Sequence, residues 1–366
     1  MKPAPVLLMA WRLGIGGSER QCTAIASGLD RNLFEPHVGC FQEGFRADEL
    51  RAQGVPVLRL PVTSFRNFSV VTGARRLGEY IREHQIRLVH TFDWPLNVYG
   101  VPVARMYRAP VVLSSQRAYR GLTPPVGRHL LRLTDRLVDG VVVNCQALRR
   151  HLIEDERVPA RLVRLCYNGI DTETFRPCAT PRPDGAGPAI GVVCALRPEK
   201  DLGTLLRAFA GVRKTYSGAK LLIVGGGPSL EGLQAQSREL GLGQSCRFEP
   251  ANSDVVPWMH AIDIFVLPSL SEALSNSIME AMACGCCVVA SDVGGTPEIV
   301  IPHKTGLLFR KGDARDLEAK LLELIEKPAL RRRMAAESAR RMAERFSLAS
   351  AAERMGGIYR SFLEAP

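Results

Sequence analysis

No apolar run in the 366 residues reaches the roughly 18 that a membrane-spanning helix needs, although 46% of the chain is hydrophobic. Apolar residues spread in short stretches build globular cores instead. The N-terminal run VLLMAW (Val6 to Trp11) is too short for the apolar centre of a signal peptide. It reads as a buried first strand, which predicts a cytoplasmic protein. Low-complexity tracts and fixed-period repeats are missing as well. Cysteine is plentiful, with ten residues, but it lacks a pattern. The cysteines sit in apolar surroundings such as VVC and VNC, as free thiols do in a reducing compartment. One C-x-x-C, Cys284 to Cys287, has no second C-x-x-C or H-x-x-x-H to complete a four-ligand zinc site. It also follows a helix-like segment, whereas a redox pair belongs at a helix N-terminus.

Lysine is close to absent from the first 180 residues, where 24 of the 25 basic residues are arginine. Those 25 stand against 16 acidic residues, a net charge of +9, while residues 181–366 hold 23 against 21, a net +2. The excess points to an anionic surface or substrate for the first half. GC-rich coding, which favours arginine, is the alternative source.

What the chain does have is a succession of short Val/Ile/Leu runs separated by amphipathic segments. PVLLMA, HVGCF, VPVLRL, IRLVHT, APVVLSS, GVVVNC and RLVRLCYN occupy the first half. AIGVVCA, AKLLIVGG, CRFEP, IDIFVLPS, CCVVAS and TGLLF occupy the second. Such runs are expected to be parallel strands covered on both faces by crossover helices, an α/β class. RPCATPRPDGAGP, Arg176 to Pro188, is the expected linker between two such domains. Ligands are then expected at the carboxyl ends of the strands, in the cleft between domains.

The segments that follow these strands carry the candidate chemistry. In WRLGIGGSER, Gly14, Gly16 and Gly17 either leave room for a ligand or simply make a turn. In LLIVGGGPSL, Gly225 to Gly227 precede a helix start at Pro228 and Ser229, where backbone N–H groups can meet an anion. A tight turn without ligand contact is the alternative there. Neither loop is the dinucleotide G-x-G-x-x-G, because Glu19 and Leu230 stand where the last glycine belongs. In ALRPEKDLG, Arg197 and Lys200 precede a helix beginning near Asp201. A planar fork and a point charge suit a diphosphate; a solvated face is the alternative. In SEALSNSIMEAMACGCC, Ser277 and Glu280 have capping-box spacing. That predicts a helix start near Asn276 or Ser277, with Glu280 in the first turn as cap or ligand and Glu272 on the loop before it.

Taken together, these residues resemble the family 4 glycosyltransferases of the GT-B fold. The likeness runs from Arg197 and Lys200 through Gly225–Pro228 and the E-x7-E pair Glu272 and Glu280 to GGTPE (Gly294 to Glu298). GGSER (Gly16 to Arg20), NCQALRRHL (Asn144 to Leu152) and NGIDTETF (Asn168 to Phe175) are similar to motifs of that family's first domain. The resemblance implies two Rossmann-like parallel-sheet domains facing a cleft. An acceptor-binding domain would cover 1–180, a nucleotide-sugar domain 181–344, and a helix over 345–366 would cross back to the first domain. It implies retaining transfer from a nucleotide-diphospho-sugar to an acceptor hydroxyl, in cell-envelope polysaccharide or glycolipid assembly. Glu280 would then hold the ribose, and Glu272 with Ala273, Leu274, Ser275 and Asn276 the sugar and distal phosphate. Arg197 and Lys200 would neutralise the departing diphosphate, with Gly225 and Gly227 beside it and Gly16 and Gly17 facing it across the cleft. Cations in that role leave no need for a metal cofactor, and the sequence has no D-x-D pair to hold one.

The chain departs from the family at two places. Cys287 stands where proline is usual, and the strand APVVLSSQRAY lacks the histidine that many members carry after it. The acceptor-side polar candidates are therefore His90, at the end of an earlier strand, then Gln116 and Arg117. Arg128, Arg132 and Arg136 recur at four-residue spacing beside Leu130, Leu131 and Leu133. A basic amphipathic helix of this kind docks on anionic lipid or forms a solvated face. The implied partners are a nucleotide sugar and a carbohydrate or lipid-linked acceptor, with peripheral attachment to the inner membrane face and no nucleic acid. Rival readings are a two-domain NAD-dependent oxidoreductase, against which both glycine loops speak, and a degenerate sugar-nucleotide-binding scaffold without catalysis.

Overall fold

The computed structural model describes residues 2–14, 16–178, 188–252 and 254–364. Most of the expected linker lies outside them. The chain divides into two compact units. One runs to Gly169 and takes in the residues from Leu348 onward; the other runs from Ile170 to Ser347.

The first unit is built on β1 (Ala4–Arg12), β2 (Phe34–Gln42), β3 (Val57–Arg59), β4 (Leu88–Thr91), β5 (Val111–Gln116), β6 (Gly140–Val143) and β7 (Val163–Leu165). They form one parallel sheet in the order β3-β2-β1-β4-β5-β6-β7. Between them run α1 (Gly17–Gly28), α2 (Phe45–Ala52), α3 (Ser69–Glu83), α4 (Trp94–Met106), α5 (Pro125–Thr134) and α6 (Gln146–Glu154). Every residue of β4, β5 and β6 is buried, which is why those strands read as unbroken apolar runs rather than alternating ones.

The second unit carries β8 (Ala189–Val193), β9 (Lys220–Val224), β10 (Cys246–Glu249), β11 (Ile264–Leu267), β12 (Cys287–Ser291) and β13 (Gly306–Phe309). Their parallel order is β10-β9-β8-β11-β12-β13. Its helices are α7 (Leu202–Thr215), α8 (Leu230–Glu239), α9 (Val256–His260), α10 (Asn276–Ala283), α11 (Thr296–Ile299), α12 (Ala314–Glu326) and α13 (Pro328–Arg345). The last helix, α14 (Leu348–Leu363), packs on α1 of the first unit. There Met355 and Tyr359 join a core that includes Leu8, Ile25, Phe34 and Leu113.

Each sheet reverses direction once beside its first strand: between β1 and β4 in one, between β8 and β11 in the other. Helices leave in opposite senses at such a point, which opens a crevice at the carboxyl ends of the two strands. Among the described residues no helix is long and apolar enough to cross a membrane.

Candidate active site

In the second unit the loops after β8 and β11 flank the point of reversal. Lys200 ends a single 3-10 turn (Pro198–Lys200), and Asp201, in a left-handed conformation at φ +45°, redirects the chain into α7. The Lys200 ammonium pairs with Oε1 of Glu272, which stands on the loop after β11. The Ser269 hydroxyl donates to the same oxygen at 3.0 Å. Both charged side chains are mostly buried, at 18% and 12% exposure. Opposite charges at close range in a partly desolvated site attract more strongly than they do in water. Backbone bonds tie the neighbouring loops to this pair. Leu270 N–H donates to the Glu199 carbonyl at 2.8 Å and Gly295 N–H to the Ala273 carbonyl at 2.8 Å. The Ser291 hydroxyl at the end of β12 donates to the Ser269 carbonyl at 2.6 Å.

The loop after β9 completes this side. Gly225 and Gly227 both have φ of +152°, and a Cβ at either would lie 1.9 Å from the Cys194 carbonyl oxygen or 2.4 Å from that of Leu196. Glycine is required there because the loop presses on the backbone after β8. Ser229 N–H donates to the Leu196 carbonyl and fixes the approach. Of the two expected cations, Lys200 faces Glu272, whereas Arg197 is 63% exposed and lies 3.9 Å from Glu199.

The capping-box expectation at α10 is corrected. Ser275, not Ser277, is the N-cap; its hydroxyl accepts from Ile278 N–H at 3.4 Å. The helix therefore starts early enough that Glu280 lies in its second turn, buried among Met279, Ala281 and Met282. Glu280 is thus not a cap. Ala273 and Leu274 are buried in the loop, and Asn276 opens the helix. Cys284, Cys286 and Cys287 are free and buried; burial pushes the Cys284 and Cys287 thiols up to about 12. Among the described residues no three His, Cys, Asp or Glu side chains form a metal-holding group.

In the first unit the corresponding crevice lies between the loops after β1 and β4. Gly16 caps α1 and Gly17 begins it, and the Glu19 carboxylate folds back to accept from Gly16 N–H at 2.9 Å and Gly14 N–H at 3.2 Å. The glutamate of GGSER thus shapes the loop. Asp93, after β4, accepts from Trp11 N–H at 2.8 Å and caps α4 through Leu96 N–H at 3.2 Å. Burial raises its carboxyl from an ordinary 3.8 to about 6, against the two backbone donors. Sequence reading passed over Asp93, although an Asp two residues before Pro95 is a recognisable cap signal. Gln21 closes the far side of the loop, exchanging hydrogen bonds with the Gly169 backbone at 2.7 and 2.8 Å.

His90 is also corrected. It is wholly buried, with Nδ1 2.8 Å from the Tyr359 hydroxyl and Nε2 2.9 Å from the Ser115 hydroxyl. Burial, with Arg117 nearby, holds its pKa well below the ordinary histidine range. A neutral, fully bonded ring joining β4, β5 and α14 has no edge left for an acceptor. Gln116 is turned inward as well, donating to the Ala118 carbonyl at 2.7 Å and accepting from Arg120 at 3.4 Å. Arg117 lies over the Phe92 ring, donates to Asn168 at 3.2 Å, and keeps Nη1 buried without a hydrogen-bond partner among the described residues. Burial lowers its pKa to about 10.

Comparison with known proteins gives the family of the chain. A model of glycosyltransferase family 4 matches residues 15–174, and one of glycosyl transferases group 1 matches 181–341. A Mycobacterium tuberculosis protein, the GDP-mannose-dependent alpha-(1-6)-phosphatidylinositol monomannoside mannosyltransferase, is 32% identical over 286 residues, which is 71% of this chain and 72% of its own. The D-inositol 3-phosphate glycosyltransferase of Saccharomonospora viridis is 32% identical over 244 residues, 62% of this chain and 56% of its own. The crystal structure of Anabaena HepE in complex with UDP-glucose has the same fold, with a TM-score of 0.85 at 21% identity over 98% of this chain and 99% of that one. The chain belongs to glycosyltransferase family 4.

Proposed function

We propose that the chain transfers a sugar, with retention of anomeric configuration, from a nucleotide-diphospho-sugar to an acceptor hydroxyl. The observation that carries this reading is the Lys200–Glu272 pair across the reversal of the second sheet. There a fixed ammonium meets the charge that builds on a departing diphosphate, and a neighbouring carboxylate meets the sugar hydroxyls. Breaking the bond from the anomeric carbon to the phosphate oxygen leaves the electron pair on the nucleotide diphosphate. A preorganised cation lowers the cost of that step. Glu280 is assigned to the ribose, Arg197 to the outer diphosphate oxygens, and the backbone from Ala273 to Asn276 to the sugar and distal phosphate. Gly225 and Gly227 let the chain pass close to the diphosphate, and Gly16 and Gly17 belong to the acceptor unit. With these cations in place the reaction needs no metal. The GDP-mannose dependence printed for the mycobacterial relative and the UDP-glucose bound to HepE support a nucleotide-sugar donor.

The first unit is assigned the acceptor, a carbohydrate or lipid-linked glycan at the inner face of a membrane. Its net charge of +9 over residues 1–180 and the phosphatidylinositol monomannoside in the relative's name support that choice. Calorimetry against UDP, GDP and ADP sugars tests the donor reading: one base should bind tightly and bring sugar transfer or slow hydrolysis with it. Binding of NAD(H) with no response to any nucleotide sugar would refute it.

A further inference from the structure

The carboxyl edge of the first sheet carries a group of aromatic rings that the donor chemistry does not use. Trp11 and Phe41 are the penultimate residues of β1 and β2, and a register that pairs Ala10 with Cys40 and Arg12 with Gln42 sets them opposite each other. Their ring centroids lie 5.2 Å apart, edge to face. Phe65, on the segment after β3, meets Trp11 at 5.6 Å and Phe41 at 6.0 Å. Tyr99 of α4 closes the group, 5.3 Å from Phe41 and 5.9 Å from Phe65. Phe41 and Tyr99 are buried, whereas Trp11 is half-buried and Phe65 is 44% exposed. The two inner rings therefore hold the two outer ones in place. The Tyr99 hydroxyl also donates to the Val70 carbonyl at 3.1 Å, which fixes the start of α3 just beyond Phe65. Strand ends beside a sheet's reversal, here on the β1 side, are where such a unit meets its ligand.

The border of this group gives the chemistry of its occupant. Thr63 and Asn67, on either side of Phe65, are exposed, and Asn67 Nδ2 donates to the Thr63 hydroxyl at 3.2 Å. The Ser69 hydroxyl accepts from Thr63 N–H at 3.0 Å and so closes the loop that presents Phe65. Beside Trp11, Arg12 is 58% exposed, with Nε 3.5 Å from Glu19. Rigid rings supply apolar contact, and a few fixed polar groups at their edge supply orientation. That pairing suits a pyranose ring, which has a face of C–H groups and a rim of hydroxyls. An acyl chain makes no use of the polar border. Phe68, 87% exposed, has no ring contact with the group among the described residues and lies outside it. We infer that Trp11 and Phe65 form a platform on which a pyranose ring of the acceptor lies, its C–H face on the two rings and its hydroxyls toward Arg12, Thr63 and Asn67. The assignment rests on the proposed role of the first unit in holding the acceptor, and it makes a sugar ring the part recognised there.

The test uses the full chain and the methyl α-pyranosides of mannose, glucose, galactose and N-acetylglucosamine, followed by saturation-transfer NMR. At least one should bind, with transfer concentrated on the C–H protons of one ring face. W11L and F65L keep apolar bulk but drop the aromatic ring, and each should weaken that sugar about two- to tenfold. W11F and F65Y restore an aromatic ring and should bind as the wild type does, which a merely structural role would not require. Wild-type affinity in both leucine variants would overturn the platform, as would equal loss in the leucine and the aromatic variants. Absence of transfer to every pyranoside in the wild-type chain would overturn it too. Vesicles of phosphatidylcholine with phosphatidylglycerol form a separate arm: weaker vesicle binding by W11L and F65L with unchanged sugar binding would assign the rings to lipid instead. Calorimetry with nucleotide sugars should give the same result in all four variants and the wild type. A wild-type chain that binds a pyranoside but no nucleotide sugar would keep the platform and sink the donor reading.

Discussion

Replacing Lys200 by alanine is the sharpest perturbation of the proposed donor site, because its effects on chemistry and on stability separate. Removing one preorganised donor aimed at developing negative charge costs about 10²–10³ in kcat, or about 2.7–4 kcal/mol. The same change strands Glu272, a carboxylate 12% exposed that keeps only the Ser269 hydroxyl. Leaving a mostly buried acceptor without its ionic partner costs about 1–3 kcal/mol of folding stability. K200A should therefore unfold earlier than the wild type and also turn over far more slowly at temperatures where both are folded. Glu272→Ala in the same background tests the coupling. The double variant should lose less stability than the two single losses combined, by about 0.5–3 kcal/mol. The assay is initial-rate sugar transfer with the tightest-binding donor, run beside thermal unfolding of each variant. Glu280→Ala belongs in the same series, with a rate loss of similar order and native unfolding cooperativity. Unchanged turnover in both K200A and E280A would refute the donor-site assignment outright.

Three further outcomes follow from the geometry. Gly227→Ala would place a Cβ 2.4 Å from the Leu196 carbonyl at φ +152°, so the second unit should lose at least about 2 kcal/mol in denaturant titration; wild-type stability would disprove the close approach. The Asp93 carboxyl is raised in the folded state to about 6 from an ordinary 3.8. Folding thus favours its protonated form, and this group's contribution is most favourable below about 4 and lost as pH rises to about 6. Asp93→Asn should flatten that part of the stability-versus-pH curve, and an unaltered slope would show that the carboxyl titrates normally. Among the cysteines Cys178 is exposed, whereas Cys284 and Cys287 are buried with thiols pushed up to about 12. A colorimetric thiol reagent at neutral pH should modify Cys178 quickly and leave the other two untouched until unfolding; rapid labelling of Cys284 would contradict their burial.

Strand positions were readable because a parallel strand covered on both faces has no polar side to interrupt its apolar run. VVLSSQ and CVVAS, for instance, appear as β5 and β12. Strand order was not readable, since register between distant segments leaves no local mark. The helix α10 starts at Asn276 as expected, but its cap was misassigned because Ser275 and Ser277 both suit one, and only the backbone conformation distinguishes them. Glu280 then fell two residues deeper in the helix than its S-x-x-E spacing suggested. His90 sits at a strand end, which draws attention to it, but its partner Tyr359 lies 269 positions away. Charge pattern revealed Arg132 and Arg136 on α5. It could not reveal Arg157 and Arg161, which line one cavity with them from the segment before β7.

The return of α14 to the first unit bears on how the chain is made. Met355 and Tyr359 complete a core whose members Leu8, Ile25 and Phe34 leave the ribosome more than three hundred residues earlier. Through synthesis of the entire second unit, α1 and β2 must wait with part of their apolar surface uncovered. The domain translated first is thus the one finished last, and its exposed face is an opening for chaperones or aggregation that the second unit, closed within its own stretch of sequence, does not share.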